Sequence, residues 1–554
     1  MKKKRLDFNQ VNCPIAVIIW LLSSISHSAL SSDKMFLQVE SPLSGELKVI
    51  NSQQGDLNKR TPLVKINVPC EKGDYLTGYI ESANGSITIE VIGPSGKVSR
   101  RLIDRQKGKN HFYSIAENCE EIWQLSGSGN YLIVLEERIG LRNQVPTKFI
   151  EPLSPSISAL LKKLEQGENA NNFWLTVEKS GTPIIEKTPA GTVMTFLVRG
   201  DYSNVKLLGA PSNNHESLQK LANSDTWYKS FIVPVDTQLS YQIAPEIPQL
   251  PLSGFAQRIA IKAVAQVDPY NNNPWPEIAA DKYAQQSTIS LPEAPTRSWI
   301  EPIDGRDKGT LSTFSFTSNT LANIRDITIY SPPVNATNKE KTVLLYIFDA
   351  RAYIELVDVP TILDNLIAEG KIPPVIAVFI SNPDGNARAR ELPANKLFAD
   401  VIANELVPQI NQKLEMIIPK ERTVIGGSSY GGLAATTIAL RHPEIFGNVI
   451  SMSGSFWWYP KEMGVNSQHF VASEVINMAK KPVRFFLSAG LFETSRGVGD
   501  GILETNRHLR DVLSAKGYKT FHTEYSSGHD YFAWQGILGD GLLTLFPLTN
   551  NNIR

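Results

Sequence analysis

Ser429 stands in Gly427-Ser428-Ser429-Tyr430-Gly431, a G-x-S-x-G run set between two elements. TVIGG at 423–427 is strand-like, and LAATTIALR at 433–441 has helical spacing. A serine on so sharp a strand-to-helix turn is presented for nucleophilic attack. The flanking glycines are expected because the turn leaves no room for Cβ atoms. The plainer alternative is a glycine-rich turn with a solvated serine. A serine nucleophile needs a base and an orienting acid, in the chain order serine, acid, histidine. His529, in SSGHDYFAW, is the last of eight histidines and follows the strand-like FHTEY at 521–525. His442 reads as a helix C-terminal residue, and His508 and His522 fall on a helix and a strand. Glu493 follows the strand VRFFLSAG by three residues and is the first choice of acid. Asp500 is the second, on a Gly-rich loop, with Glu504 at a helix start. Asp530 is adjacent to His529, where side chains diverge, and reads as the cap of a helix starting near Tyr531. An oxyanion needs two backbone N–H donors. Tyr430 is one; Arg351 or Ala350, in FDARAY at 348–353, is the other.

The elements that must position these residues alternate from about residue 320. VLLYIF (343–348) and PVIAVFI (374–380) are continuous apolar runs, as buried parallel strands require. KLFADVIANELVPQINQKL (396–414) has helical spacing. Alternating strands and helices predict a parallel sheet covered on both faces, here over 310–550. Two strand-rich regions precede it. Residues 35–150 carry runs such as SITIEVIG (86–93) and NYLIVLEE (130–137), expected as a β-sandwich of unknown role. Residues 165–290 carry GTVMTFLVRG (191–200) and WYKSFIVPV (227–235), expected as a second, immunoglobulin-like sandwich. LEQGENANN (164–172) reads as a linker or frayed helix end, and the prolines of 245–276 as extended chain.

The chain has 554 residues, 55 basic and 55 acidic, and so no net charge. That argues against a nucleic-acid partner, which calls for a basic field. MKKKR, the apolar Pro14–Leu22 and SSISHSA have the form of an export signal over residues 1–29. The run is too short to span a bilayer; a membrane anchor or buried terminal helix is the alternative. Removing four bases and one acid with it leaves 51 basic and 54 acidic residues, a net −3. An exported protein, periplasmic and without stable membrane insertion, is expected. Of three cysteines, Cys13 goes with the signal; Cys70 and Cys119 then either pair or stay as buried thiols. No metal-ligand spacing is visible, and no cofactor is expected.

Several segments together resemble the enterochelin (enterobactin) esterases. They are LLYIFDARAY (344–353), RARELPANKLF (388–398), GGSSYGGLAA (426–435), RHPEIFGNVISMSGSFWW (441–458), SAGLFET (488–494) and GHDYFAWQGILGDGL (528–542). FWLTVEKSGTPII (173–185), NSDTWYKSFIVP (223–234) and VDPYNNNPWP (267–276) resemble that family's N-terminal sandwich. The resemblance covers roughly 165–548. It implies an α/β-hydrolase domain behind one β-sandwich, with Ser429, His529 and Glu493 as the catalytic set; residues 35–150 lie outside it, so the expected fold is an α/β-hydrolase domain preceded by two β-sandwiches. It also implies the ester backbone of a ferric catecholate siderophore as substrate, the iron arriving with it. Such an anion calls for cations and aromatic walls. Arg351, Arg388, Arg390, Trp457 and Trp458 are the expected substrate contacts. Surface ion pairs, for instance with Glu391, and plain packing are the alternatives. One departure is visible: the family's Asp-Gly is Asp349-Ala350 here, which would strain the oxyanion loop if residue 350 had a positive φ. The rival functions are a carboxylesterase for feruloyl or acetyl polysaccharide esters, with 35–150 as a binding module, and a non-catalytic binding protein.

Overall fold

The computed structural model describes residues 51–118, 121–140, 151–212, 215–248, 254–334, 340–464, 469–495 and 499–548. The expected signal segment and Cys119 lie outside the described residues. The chain forms two compact units, divided after residue 150.

The first unit is one antiparallel sheet. Its strands are β1 (Asn51–Leu57), β2 (Leu63–Val68), β3 (Tyr75–Ile92), β4 (Val98–Ile115), β5 (Glu121–Gly127) and β6 (Gly129–Ile139). β3 pairs with β6 over Tyr75–Glu81 and with β5 over Ile87–Ile92, with register shifts against β4 between Ser82 and Ile92. Such irregularities bend a strand. Leu76 and Ile80 before the bend and Ile87, Ile89 and Val91 after it therefore share one core with Phe112 and Trp123. The layers expected of a sandwich come here from a single continuous sheet. Cys70 is buried, and its thiol donates to Asn118 O at 3.5 Å.

The second unit opens with two helices, α1 (Pro155–Glu165) and α2 (Asn171–Ser180). Ser154 caps α1, and Ile157, Leu160, Trp174 and Val177 pack with Leu197 and Tyr228 of the sheet that follows. Residues 173–180, expected to be strand-rich, are thus helical. Two four-stranded sheets form the sandwich. One contains β7 (Ile184–Thr188), β8 (Gly191–Arg199), β10 (Gln219–Lys220) and β11 (Thr226–Val233); the other has β9 (Val205–Gly209), β12 (Gln238–Pro245), β13 (Pro274–Trp275) and β14 (Gln286–Ser290). Between β12 and β13, where extended chain was expected, lies α3 (Gly254–Val264). Its interior holds no proline; Ala260 and Ile261 are buried while Arg258 and Lys262 are exposed.

The remainder is an eight-stranded sheet with helices on both faces. Strands β15 (Thr310–Ser318) and β16 (Asn323–Ser331) run antiparallel at one edge. Then come β17 (Val343–Phe348), α4 (Ala350–Glu355), α5 (Val359–Ala368), β18 (Val375–Ile380) and α6 (Ala387–Glu391). α7 (Lys396–Val401) continues through a π-turn, Ile402–Leu406, into α8 (Val407–Leu414). They are followed by β19 (Thr423–Ser428), α9 (Tyr430–Arg441), β20 (Asn448–Met452), α10 (Phe470–Asn477) and β21 (Arg484–Gly490). α11 (Ile502–Ala515), β22 (Lys519–Tyr525) and α12 (Tyr531–Leu545) complete it. The order is β15-β16-β18-β17-β19-β20-β21-β22. Alternate residues of β17 serve opposite faces. Leu344, Tyr346 and Phe348 join the core under α7–α11, and Val343, Leu345 and Ile347 join that under α5 and α12. Burial on both faces explains why VLLYIF shows no polar alternation.

Candidate active site

β19 ends at Ser428 and α9 begins at Tyr430, which leaves Ser429 between them at φ 57°, ψ −120°. Non-glycine backbone of this kind costs on the order of 1–3 kcal/mol and must be held by its surroundings. Ser429 N–H donates to Met452 O at 3.0 Å, and its carbonyl accepts from Ser455 N–H at 3.1 Å. A Cβ on Gly427 would lie 2.8 Å from the Gly431 carbonyl carbon, so the strand and helix backbones nearly touch there. The expectation that both flanking glycines are needed holds for Gly427 alone. At Gly431 a Cβ would meet Phe348 at an ordinary 3.6 Å, whereas at Gly432 it would lie 2.5 Å from Ser451 Oγ. The Ser429 hydroxyl is 3.2 Å from Ser455 Oγ; among the described residues that, and not His529, is its hydrogen-bond partner.

The neighbouring strand, β17, ends in a second turn of the same kind. Asp349 has φ 59° and α4 starts at Ala350. The left-handed residue is therefore the aspartate, a type that tolerates it, and the alanine that replaces the family's glycine is helical and unstrained. The Asp349 carboxylate accepts from Arg388 Nε and Nη2, each at 2.9 Å, and from Asn382 Nδ2 at 2.8 Å. Arg388 Nη2 also donates to Ser428 O at 3.5 Å, and its guanidinium lies 5.7 Å from the Tyr430 ring centre. Burial works to lower the Arg388 pKa, but its bonds to Asp349 and that residue's charge outweigh it and raise it. Arg388 ties one turn to the other.

The third part is the loop between β22 and α12. His529 Nδ1 is 2.5 Å from Glu493 Oε1. Glu493 is wholly buried, and its other oxygen accepts from Gly490 N–H at 2.6 Å. The His529 ring meets the Trp534 face edge-on at 4.9 Å. Asp530 caps α12 by accepting from Ala533 N–H at 2.9 Å. Burial, with Glu493 nearby, pushes its carboxyl up to about 6. Asp500 instead faces His469 Nε2 at 3.1 Å.

Residues 318–545 match the family model described as putative esterase, and 193–300 match that of the enterochelin esterase N-terminal domain. An iron(III) enterobactin esterase of Dickeya dadantii is 29% identical over 426 residues, covering 70% of this chain and 94% of that one. An iron(III) salmochelin esterase of Escherichia coli is 27% identical, covering 70% and 97%. The solved enterochelin esterase of Shigella flexneri is 25% identical with a TM-score of 0.53, covering 68% and 97%. The chain belongs to the enterochelin esterase family. It is a carboxylic ester hydrolase.

In this esterase the other expected contacts are dispersed. Arg351 is solvated, with 89% of its side chain exposed, and pairs with Glu355 at 2.9 Å. Arg390 pairs with Asp384 and Glu391 at 3.2 and 3.3 Å. Trp457 is exposed beside Tyr430, and Trp458 packs edge-on against Phe470. Sequence reasoning missed the hold of the sandwich on the His529 loop. Gln238 N–H donates to Ser526 O at 3.0 Å, the Ser526 hydroxyl donates to Asp236 at 2.6 Å, and a Cβ on Gly528 would run into Ala210. Arg297, almost fully buried, bonds both Asp540 on α12 and Gln238 on β12. Proximity across some 290 residues of sequence leaves no local signal. Two cavities of the esterase lie between sandwich and sheet domain. One, of about 420 Å³, is lined by His529, Phe492 and α3. The other, of about 570 Å³, is lined by Asp349, Ala350, Arg388 and Tyr531 together with Pro276 and Ala280.

Proposed function

We propose that the protein hydrolyses the ester backbone of a catecholate siderophore, with Ser429 as nucleophile, His529 as base and Glu493 as the acid that orients it. His529 takes the Ser429 proton as the hydroxyl attacks a seryl-ester carbonyl. The tetrahedral oxyanion is held by the N–H groups of Tyr430 and of Ala350 or Arg351. His529 then gives the proton to the leaving alkoxide, and water activated by His529 releases the acyl group. The observation that carries this reading is the short contact of His529 Nδ1 with a wholly buried Glu493, which turns the other ring nitrogen outward. The Ser429 hydroxyl has to swing from Ser455 to His529; such bonds tighten when substrate binds. The relatives named as esterases of iron(III) enterobactin and salmochelin support the substrate class. Iron belongs to the substrate. Export to the periplasm is part of the proposal, supported by the form of residues 1–29. The polysaccharide-ester rival gains nothing from the first unit. Among its described residues Tyr113 is the exposed large aromatic, and Arg100, Arg101, Arg105, Lys107 and Lys109 crowd β4.

The test is product analysis of ferric and iron-free enterobactin with wild type and Ser429→Ala. Wild type is expected to yield linear dihydroxybenzoylserine products, and the variant to lose on the order of 10⁴-fold or more in kcat. An inert wild type that cleaves feruloyl esters would transfer the assignment to the rival.

A further inference from the structure

Among the described residues α3 is the one helix inserted in the second sheet of the sandwich, between β12 and β13, and its buried face is short. Ala260, Ile261 and Ala265 pack with Ala244 and Ile247. The face one turn wide that carries Arg258 and Lys262 lines the 420 Å³ cavity, whose far wall is Phe492, Gly528 and His529. Residues four apart on a helix point the same way, so two cations look onto one space. Among the described residues neither makes an ion pair, whereas Arg351, Arg388 and Arg390 each face a carboxylate. The cavity also presents Tyr241 and Tyr283, Ser212 and Ser240, and the buried Gln286 Oε1, which has no hydrogen-bond partner among the described residues. Among the described residues its one carboxylate is Asp530, whose Oδ1 caps α12 and whose Oδ2 has no hydrogen-bond partner. The volume suits one small organic group, not a whole tri-armed siderophore; ligand pockets run from about 300 to 1,000 Å³.

We propose that Arg258 and Lys262 on α3 form an anion subsite beside His529, taking one acidic, oxygen-rich aryl arm of the ester substrate. The assignment rests on the function proposed above. It makes the sandwich a part of substrate selection, and it moves the cationic recognition from the sheet-domain arginines to a helix outside that domain. Guanidinium and ammonium groups attract vicinal phenolate or carboxylate oxygens, the exposed Tyr283 ring provides a flat wall, and Gln286 Oε1 accepts from the arm's amide N–H. Since both cations are solvent-exposed, salt must weaken the effect.

The test is Arg258→Gln/Lys262→Gln in the full chain. The readouts are kcat and KM for enterobactin, ferric and iron-free, and for a matched pair of synthetic esters, neutral p-nitrophenyl butyrate and anionic p-nitrophenyl hemisuccinate. Lys163→Gln/Lys179→Gln, which removes exposed cations of α1 and α2 away from the cavity, is the control for net charge. The expected result is a KM for enterobactin raised roughly tenfold, the size of two solvent-screened ion pairs. The hemisuccinate-to-butyrate ratio of kcat/KM should fall alongside it. High salt should narrow the gap to wild type, and the control should leave both measures in place. An unchanged ratio overturns the subsite. So does an equal loss on both synthetic esters, which is the mark of a structural role. Should wild type leave enterobactin intact, the substrate reading fails, and the synthetic pair still decides whether α3 selects anions.

Discussion

Two turns of the same sheet end on left-handed residues and open directly into helices: Ser429 after β19 and Asp349 after β17. They stand on neighbouring parallel strands. They are held by opposite means. The serine turn is held by shape, since the missing Cβ atoms of Gly427 and Gly432 let backbone meet backbone and Ser451. The aspartate turn is held by charge, through a bidentate ion pair with Arg388. The difference fits the tasks in the proposed mechanism. A nucleophile must return to one place, and close packing fixes its backbone while the hydroxyl can still turn from Ser455 to the base. An N–H donor must point at a developing charge, and a directional ion pair fixes orientation.

The sharpest way to break the shape-held half is Gly427→Ala. The new methyl would sit 2.8 Å from backbone that cannot rotate away. Opening the turn should cost about 1–3 kcal/mol of stability, seen as a lower denaturant midpoint. It should also cost roughly 10²-fold in kcat, because a misplaced nucleophile loses its attack geometry. A variant with wild-type kcat would show that the turn is not held sterically.

The charge-held half is broken by Arg388→Gln, and separately by Asp349→Asn. If Arg388 positions the donor loop, each variant should lose on the order of 10-fold to 10²-fold in kcat on every ester, the neutral p-nitrophenyl butyrate included. KM should stay nearly level, and the double variant should lose little more than either single one. A rise in KM for anionic esters only would return Arg388 to the substrate-contact role expected from the sequence. This variant and the α3 pair thus read opposite columns of the same kinetic table.

A smaller effect separates the third turn, that of His529, from the other two. The Asp530 carboxyl is pushed up from its ordinary 3.8 to about 6 by burial. A folded-state value above the unfolded one means that the folded chain holds this proton more tightly. The associated stability is present below about pH 4 and is lost as pH rises through 6. Asp530→Asn keeps the cap on α12 but cannot ionise. Its stability relative to wild type should climb between pH 4 and 7 by about 1–3 kcal/mol, one pKa unit being worth about 1.4. Denaturant melts of both proteins across that range check the sign; a flat difference would mean that the carboxyl is not perturbed.

How much of this was legible in the chain follows the same division. Continuous apolar strands, the elbow and the loop positions of Glu493 and His529 are local patterns, and they read directly. The antiparallel β15–β16 edge was less visible because its outer strand is mostly exposed. α3 was hidden among flanking prolines at 245, 248, 251 and 269. The partners of Arg388 could not be read at all. R-x-x-E-L-P places it after β18 at the sheet's carboxyl edge, where an arginine serves a ligand or a loop equally well. Only the fold, by setting it against Asp349 across 39 residues, decides what it touches.

The smallest effects test the claim where it predicts silence. The sequence comparison raised the fear of strain at Ala350, and the motif implied that Gly431 is indispensable. In the structure Ala350 is helical, and a Cβ on Gly431 meets its neighbours at 3.6 Å or more. Ala350→Gly should therefore relieve nothing; it should destabilise by about 0.5–1 kcal/mol, the ordinary helix cost of glycine, with kcat within about twofold. Gly431→Ala should gain a similar amount at the start of α9, again with kcat nearly level, provided that the space beside Phe348 and Asp349 is as open as the geometry gives it. The pair has opposite signs in stability and none in rate. A large loss of kcat in Gly431→Ala would mean that shape constrains both flanks of Ser429, and the contrast with the charge-held turn would then have to be drawn on Ala350 alone.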